Sequence, residues 1–194
     1  MGYNMAQAKT LTENEISKVL KHLTTHKHST RNRAMFLLTH LAGMRVGEVA
    51  ALTYGDVVDS EGLVRTEIRL QPDQTKGSQA RVVFVSQRLR KELSIYLRQH
   101  PQLDHTYKLF YTQKRRRAGF TANTLTQHFI GLYRAVGLEG ATSHSGRRTF
   151  ATNIANNGVS VRVLMRALGH KHISTTMQYV DANDEMVRRA VELA

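Results

Sequence analysis

A histidine and an arginine three positions apart, His144 and Arg147, form the first pattern in this sequence that could do chemistry. In a helix this spacing puts both side chains on one face. There the guanidinium could hold a phosphate oxygen while the imidazole gives or takes a proton beside it. With ten histidines and 19 arginines, the chain should contain a His-x-x-Arg tetrapeptide about once by chance. A second copy runs from His28 to Arg31, so the pair alone is a weak indication.

Four further blocks accompany the copy at His144. Upstream lie Gly43-Met44-Arg45-Val46-Gly47-Glu48 and Thr75-Lys76-Gly77, and downstream come Leu168-Gly169-His170 and a segment that ends in Tyr179. In this order, the five blocks resemble the catalytic domain of the tyrosine recombinases, the phage integrase family. That family has a Gly-x-Arg-x-x-Glu block, a turn lysine, a His-x-x-Arg block, a Leu-Gly-His block and a tyrosine nucleophile. The resemblance covers nearly the whole chain, from about Thr12 to Tyr179.

The resemblance implies a role for each block in cleaving a DNA phosphodiester. Tyr179 would attack phosphorus and form a 3′-phosphotyrosyl ester, which retains the bond energy and allows religation without a nucleotide. Arg45 and Arg147 would hold the two non-bridging oxygens, because planar guanidinium groups match phosphate geometry and stay charged. Lys76 would protonate the leaving 5′ oxygen.

The remaining positions would support these steps. His144 would act as acid or base on the tyrosine side, and His170 would add a hydrogen bond to a phosphate oxygen. Glu48 would hold the guanidinium of Arg45 rather than take part in the chemistry. This set of side chains makes a metal ion dispensable, so we expect neither a metal nor a cofactor. The family also implies that Tyr179 lies away from the other catalytic residues when no DNA is bound.

The elements that must position these residues follow from hydrophobic periodicity and turn residues. Helices are predicted from a capping box at Thr12, at about 29–42, 45–52, 86–99 and 121–136, and repeatedly from His144 onward. Glycines fall where helices should stop, at positions 43, 137, 158 and 169. Between Gly62 and Ser86 the pattern is β-rich, which predicts an antiparallel hairpin whose turn, 71–78, carries Lys76. The expected fold class is mainly α with a small antiparallel β-sheet (α+β), similar to the tyrosine-recombinase catalytic domain.

The composition indicates a polyanionic partner. The net charge is +13, and the basic residues are spread over folded segments, which favours double-stranded DNA or another nucleic acid over a membrane or an acidic protein. The chain contains no cysteine, so it can form neither disulfides nor thiolate metal sites. No signal peptide or long apolar run is evident, and we expect a cytoplasmic protein that does not enter a membrane.

Basic residues outside the catalytic blocks are candidates for phosphate contacts that add affinity without sequence information. They are Lys114, Arg115, Arg116, Arg117 and Lys171. Histidines at positions 22, 26 and 28 have no further ligand at metal-site spacing and are interpreted as surface residues. The tail, 181–194, has apolar residues at helical spacing. It would pack either on its own domain or, as is frequent in the family, on a neighbouring subunit of a DNA-bound tetramer.

The whole chain, 1–194, is expected to form one catalytic domain with its core at about 10–180. Most members of the family carry an all-helical core-binding domain before this one, and that domain closes a clamp on DNA. Here the sequence begins at the catalytic block. We therefore expect a fragment of a longer integrase, with a short family member as the other possibility.

The function expected from the resemblance is site-specific cleavage and rejoining of DNA strands, in phage integration, a mobile element or chromosome-dimer resolution. Three alternatives stay open. A type IB topoisomerase-like enzyme would use the same tyrosine chemistry but relax DNA without a partner site. An inactive DNA-binding regulator would keep only the basic surface, and an RNA- or membrane-surface-binding helical domain would form no covalent adduct.

Overall fold

The computed structural model describes residues 7–101, 104–112, 118–180, 187–188 and 191–192, and these are mostly helical. The helices are α1 (Glu13–Thr24), α2 (Ser29–Leu41), α3 (Val46–Ala51), α4 (Tyr54–Val57), α5 (Gln87–Gln99), α6 (Ala122–Ala135), α7 (Ser145–Asn156), α8 (Val161–Leu168) and α9 (Ile173–Met177). The strands β1 (Glu67–Leu70) and β2 (Arg81–Phe84) form an antiparallel sheet. The predicted fold class is confirmed. None of the described helices is both long enough and apolar enough to cross a membrane.

Local side-chain contacts explain where several helices begin. Thr12 accepts a hydrogen bond from the backbone N–H of Glu15, and the Glu15 carboxylate accepts one from the N–H of Thr12. This is the capping box predicted for α1. A similar exchange between Thr53 and Asp56 starts α4, a single turn too short for its periodicity to be read from the sequence.

Two of the predicted stops lie one or two positions before site residues. Gly43 and Gly169 have positive φ angles of 59° and 63°, a conformation in which glycine avoids the strain that a side chain would bring. Gly43 also packs under the ring of Phe150 in α7, where a Cβ atom would clash with the ring. Because these turns are tight, His170 follows the end of α8 after one further residue, and Arg45 follows the end of α2 after three.

The packing of the described residues divides into two apolar clusters. In the larger cluster, helix α2 is buried at seven consecutive positions, from Ala34 to His40, and it packs against α1, α5 and α7. The smaller cluster contains four buried residues of α7 and α8, with Tyr179 packed at its edge. Helix α7 therefore joins the main core to the segment that carries the tyrosine.

The hairpin is anchored at its turn. Register pairs Leu70 with Arg81 across the sheet, and a short 3-10 helix, Pro72–Gln74, forms part of the connection. Pro72 therefore begins a short helical turn within the turn predicted at 71–78. The Gln74 amide donates to Oδ2 of Asp56 at 2.7 Å, which fastens the turn to α4. Lys76 follows at the exposed end of the turn.

Candidate active site

Arg147 lies at the centre of the site and is only 4% exposed. Its Nη1 donates to the carbonyl oxygen of Gly43 and its Nη2 to that of Leu168, each at 2.6 Å. Nη2 also lies 3.1 Å from Nε2 of His170. Burial, followed by the positive charge of Arg45, lowers the pKa of Arg147 to about 9. The guanidinium therefore remains charged at neutral pH.

The contacts of His170 determine its tautomer. A guanidinium can only donate, so Nε2 of His170 accepts from Arg147, and the ring proton is on Nδ1. Nδ1 then donates to Oγ1 of Thr176 at 2.9 Å. Burial and the charges of Arg147, Arg45 and Arg81 lower the pKa of His170 to about 4. The imidazole is thus neutral at physiological pH.

Arg45 is oriented by a buried carboxylate. Glu48, which is 1% exposed, accepts from the Arg45 backbone N–H at 2.8 Å and from its Nη1 at 3.0 Å. The same carboxylate accepts from Nη2 and Nε of Arg81 at 2.6 and 3.2 Å. Burial alone would raise the pKa of Glu48. The hydrogen bonds and positive charge of Arg81 and the backbone N–H of Arg45 together lower it by a larger amount, so the pKa lies below its ordinary value. The contact predicted between Glu48 and Arg45 is therefore present.

Two clefts that share Arg45 and Lys76 open over these residues. The larger has a volume of about 1370 Å³ and is also lined by His170 and Lys171. The smaller, about 420 Å³, is lined by His144 and Arg147. Five of the six predicted catalytic residues, from four separate segments of the chain, thus border one continuous region.

His144 occupies the position directly before α7 and is exposed, whereas Arg147 lies in the first turn and is buried. The two side chains still reach the same cleft, as their spacing suggested. Partial burial of the imidazole, then the charges of Lys76, Arg147 and Arg45, lowers the pKa of His144. The imidazole is therefore held in the neutral form, which has a nitrogen able to accept a proton, while the three cations reduce its basicity.

Tyr179 lies beside the clefts rather than among the residues that line them. Its ring stacks on that of His170, with centroids 6.0 Å apart and planes inclined by 20°. On another side, Cζ of Arg148 is 5.7 Å from the centroid of the tyrosine ring. The tyrosine was expected away from the other catalytic residues, and it is outside the clefts but in contact with His170.

The second His-x-x-Arg copy has a different environment. Arg31 donates to the carbonyl oxygen of Tyr111 at 3.0 Å and to the side chain of Asn32, and it lies over the ring of Phe120. Neither Arg31 nor His28 belongs to the described lining of the two clefts. The geometry therefore separates two tetrapeptides that the His-x-x-Arg spacing alone leaves equivalent.

The basic residues predicted to contact phosphate differ in whether the structure describes them. Lys114, Arg115, Arg116 and Arg117 lie outside the described residues, whereas Lys171 lines the larger cleft. Within the described ranges, no three His, Asp or Glu side chains are grouped as metal ligands. The sequence interpretation missed Arg81, Thr176 and Arg148, none of which belongs to a recognisable motif.

The arginine, lysine and histidine side chains that line the two adjoining clefts fit an anionic ligand such as a phosphodiester. Independently, the sequence matches the model of the phage integrase family over residues 9–186. The chain belongs to the phage integrase family.

Among curated proteins, the chain is similar to tyrosine recombinase XerA of Pyrococcus furiosus, with 27% identity over 186 residues, 96% of this chain and 62% of that protein. XerA of Thermococcus kodakarensis is 30% identical over 187 residues, with the same coverage of both chains. Transposase A from transposon Tn554 of Staphylococcus aureus is 29% identical over 180 residues, 87% of this chain and 48% of that protein. The chain thus spans about three fifths of the recombinases and about half of the transposase.

Solved structures with a similar fold include recombinases. The crystal structure of XerA recombinase has a TM-score of 0.74 and 26% identity, covering 95% of this chain and 64% of that one. The Tn1549 transposon integrase in complex with a circular intermediate DNA has a TM-score of 0.79. That likeness covers all of this chain and 68% of the other, and at 19% identity it concerns the fold alone.

Proposed function

We propose that this chain is the catalytic domain of a site-specific recombinase that cleaves and rejoins duplex DNA through a 3′-phosphotyrosyl intermediate. The observation that carries the proposal is the convergence of Arg45, Lys76, His144, Arg147 and His170 on two joined clefts, with Tyr179 stacked on His170. Its relatives include proteins named tyrosine recombinases.

The two arginines would receive the non-bridging oxygens of the phosphate. The described contacts of Arg147 use three of its five N–H groups, and the others are free to donate to a phosphate. Arg45 is 29% exposed and gives one side-chain N–H to Glu48. Fixed donors around a partly buried anion stabilise the charge that develops on phosphorus during the displacement.

In the proposed reaction, the Tyr179 hydroxyl oxygen forms a bond to phosphorus while the bond from phosphorus to the 5′ oxygen breaks. The phenolic proton passes to His144, whose lowered pKa favours the neutral form. The leaving oxygen takes a proton from Lys76 on the exposed hairpin turn. Rejoining reverses these transfers when a 5′ hydroxyl attacks the phosphotyrosyl ester.

The role of His170 as a hydrogen-bond donor requires a change in protonation. Its Nε2 accepts from Arg147 and therefore has no proton to give. The cations around His170 help to keep its pKa at about 4. A phosphate held between Arg45 and Arg147 would offset those charges and favour a proton on Nε2. DNA binding would thereby convert His170 from an acceptor into a donor.

Double-stranded DNA is the proposed partner, and we propose that four copies assemble on it. The cleft borders include Arg162, Arg166 and Lys171, which would contact the backbone of a duplex.

Of the C-terminal segment, residues 187–188 and 191–192 are helical, and Val187 and Val191 are 55% and 67% exposed. Packing of these side chains on a neighbouring subunit would remove them from water. The mass of the protein–DNA complex in light scattering tests the assembly.

Trapping of the covalent intermediate tests the enzymatic proposal. A pool of nicked duplexes with randomised sequence around the nick is incubated with the protein in EDTA, and adducts are isolated on denaturing gels and sequenced. We expect adducts with the natural chain, none with Tyr179→Phe, and none with Arg147→Ala. Arg31→Ala, which alters the other His-x-x-Arg copy, should still form them. Adducts that survive Tyr179→Phe, or a folded Arg31→Ala that forms none, would overturn the assignment.

A further inference from the structure

We infer that Arg81 is a positioning residue that holds the lysine hairpin, the start of α3 and the end of α8 in one arrangement around the phosphate. This inference rests on the proposed function and adds to it a residue outside the six catalytic positions. Arg81 is the first residue of β2 and lies five positions after Lys76. Its side chain is 8% exposed.

The first contact of Arg81 is a two-point ion pair with Glu48. Nη2 and Nε of Arg81 bind the two carboxylate oxygens at 2.6 and 3.2 Å, and both side chains are buried. The same two oxygens hold the backbone N–H and Nη1 of Arg45. Because a buried carboxylate with fewer partners would draw Arg45 toward itself, Arg81 affects where the Arg45 guanidinium lies.

The second contact joins Arg81 to the segment around His170. Its Nη1 donates to the carbonyl oxygen of Ala167 at 3.0 Å. The next carbonyl, of Leu168, accepts from Arg147. The aliphatic part of Arg81 also fills the space beside Gly169, where an added Cβ would lie 2.5 Å from Cδ of the arginine. Arg81 is thus packed against the tight turn that leads into His170.

The charges explain why a second arginine is needed beside Glu48. A carboxylate paired only with Arg45 would neutralise that arginine and reduce its attraction for phosphate. When Arg81 shares the carboxylate, one positive charge in excess remains in the group of three. Arg81 also borders the larger cleft, but its side chain is only 8% exposed and its described contacts all go to protein acceptors. The Arg45 side chain is 29% exposed and lines both clefts. Arg81 therefore acts through Arg45 and the hairpin rather than as a phosphate ligand.

The test compares two arginines that make similar ion pairs. Arg81→Met removes the charge and keeps the length of the side chain. Arg33→Met is the control, because Arg33 binds both carboxylate oxygens of Glu92 at 2.7 Å between α2 and α5, away from the clefts. Single-turnover adduct formation is measured on a nicked duplex selected with the natural chain. We expect Arg81→Met to be slower by at least about tenfold, since misplacement by about 1 Å can cost on the order of 100-fold. Arg33→Met should cleave at the natural rate.

A second substrate separates an effect on Arg45 from an effect on Lys76, and a second variant of Arg81 tests for loss of folding. Sulfur in place of the bridging 5′ oxygen gives a leaving group that needs no proton, so this substrate should restore most of the rate to Lys76→Met. Arg81→Met should recover only in part, because the displacement of Arg45 persists. Arg81→Lys, which keeps the charge but not the two-point geometry, should melt close to the natural chain and cleave at an intermediate rate.

The outcomes separate this inference from the proposed function. If the natural chain forms adducts and Arg81→Met or Arg81→Lys cleaves as fast as Arg33→Met, the positioning role is wrong and the recombinase assignment stands. Full recovery of Arg81→Met on the sulfur substrate would also overturn the inference, because Arg81 would then act on Lys76 alone. If the natural chain forms no more adduct than Tyr179→Phe, the proposed function is wrong and the inference fails with it.

Discussion

His40 gives this fold a stability that should depend on pH. The residue lies in α2, is 5% exposed and stacks on Phe36 with ring centroids 3.9 Å apart. Nδ1 donates to the Phe36 carbonyl oxygen at 2.9 Å, while Nε2 is buried without a hydrogen-bond partner among the described residues. Burial lowers the pKa of His40 to about 4, although the bond to Phe36 acts in the opposite direction. The folded protein therefore holds the ring neutral.

The size of the effect follows from proton linkage. In the unfolded chain the pKa of this histidine is 6.5, whereas in the folded chain it is about 4. Between these values the unfolded state binds a proton that the folded state excludes, so the free energy of unfolding falls as the pH falls. A change from pH 7 to pH 5 should remove about 2 kcal/mol through His40 alone. The contribution is fully present above pH 6.5 and is lost progressively down to about pH 4.

Urea titrations at pH 7 and pH 5 measure this contribution. His170 and other buried histidines change stability in the same direction, so the natural chain is compared with His40→Leu and His40→Gln. In both variants the difference in unfolding free energy between the two pH values should be smaller by about 2 kcal/mol, whatever their stability at pH 7. If both variants lose as much unfolding free energy between pH 7 and pH 5 as the natural chain does, His40 is not a neutral, buried group.

Three further substitutions test local packing and hydrogen bonding. Tyr133→Phe removes a buried hydroxyl without a partner among the described residues. It should raise the free energy of unfolding, measured in urea, by about 1 kcal/mol. If the free energy of unfolding falls by a similar amount instead, the hydroxyl is hydrogen-bonded. Gly146→Ala pushes a methyl group against Thr39. It should lower the melting temperature, reduce the free energy of unfolding by about 1–3 kcal/mol and slow adduct formation. An unchanged melting temperature would contradict this contact. Thr176→Val removes the acceptor for Nδ1 of His170 and should slow adduct formation on nicked DNA, whereas Thr176→Ser keeps an acceptor and should not. Equal rates for the two variants would show that this hydrogen bond does not affect the rate of adduct formation.

Features that depend on neighbouring residues in the chain were predictable from the sequence. The capping box at Thr12 and the stops at Gly43 and Gly169 are present because each depends on a few adjacent residues. The hairpin was also predicted, since its β-rich segments and its turn lie close together in the chain. The five catalytic blocks were found by their order, which the family model matches over most of the chain.

Features that depend on tertiary packing were not predictable. Arg81 is one basic residue in a short strand, and its partners Glu48 and Ala167 come close only when α3 and α8 pack beside β2. The tautomer of His170 depends likewise on contacts with Arg147 and Thr176 rather than on its neighbours in sequence. Such arrangements have no periodicity for a sequence pattern to reveal.

The division of the packing into two clusters has a consequence for the tyrosine. As far as the structure describes the chain, Tyr179 and the α8 helix rest on a small group of four fully buried residues, while most buried side chains belong to the main core. Little apolar area is exposed when so small a group separates, so it can open at a lower free energy than global unfolding requires. Tyr179, the proposed nucleophile, is thereby attached to a unit that is expected to open before the main core does. Opening of this unit would also break the bonds from Arg147 and Arg81 to the carbonyl oxygens of Leu168 and Ala167. Movement of the tyrosine would therefore be coupled to the positions of these two arginines.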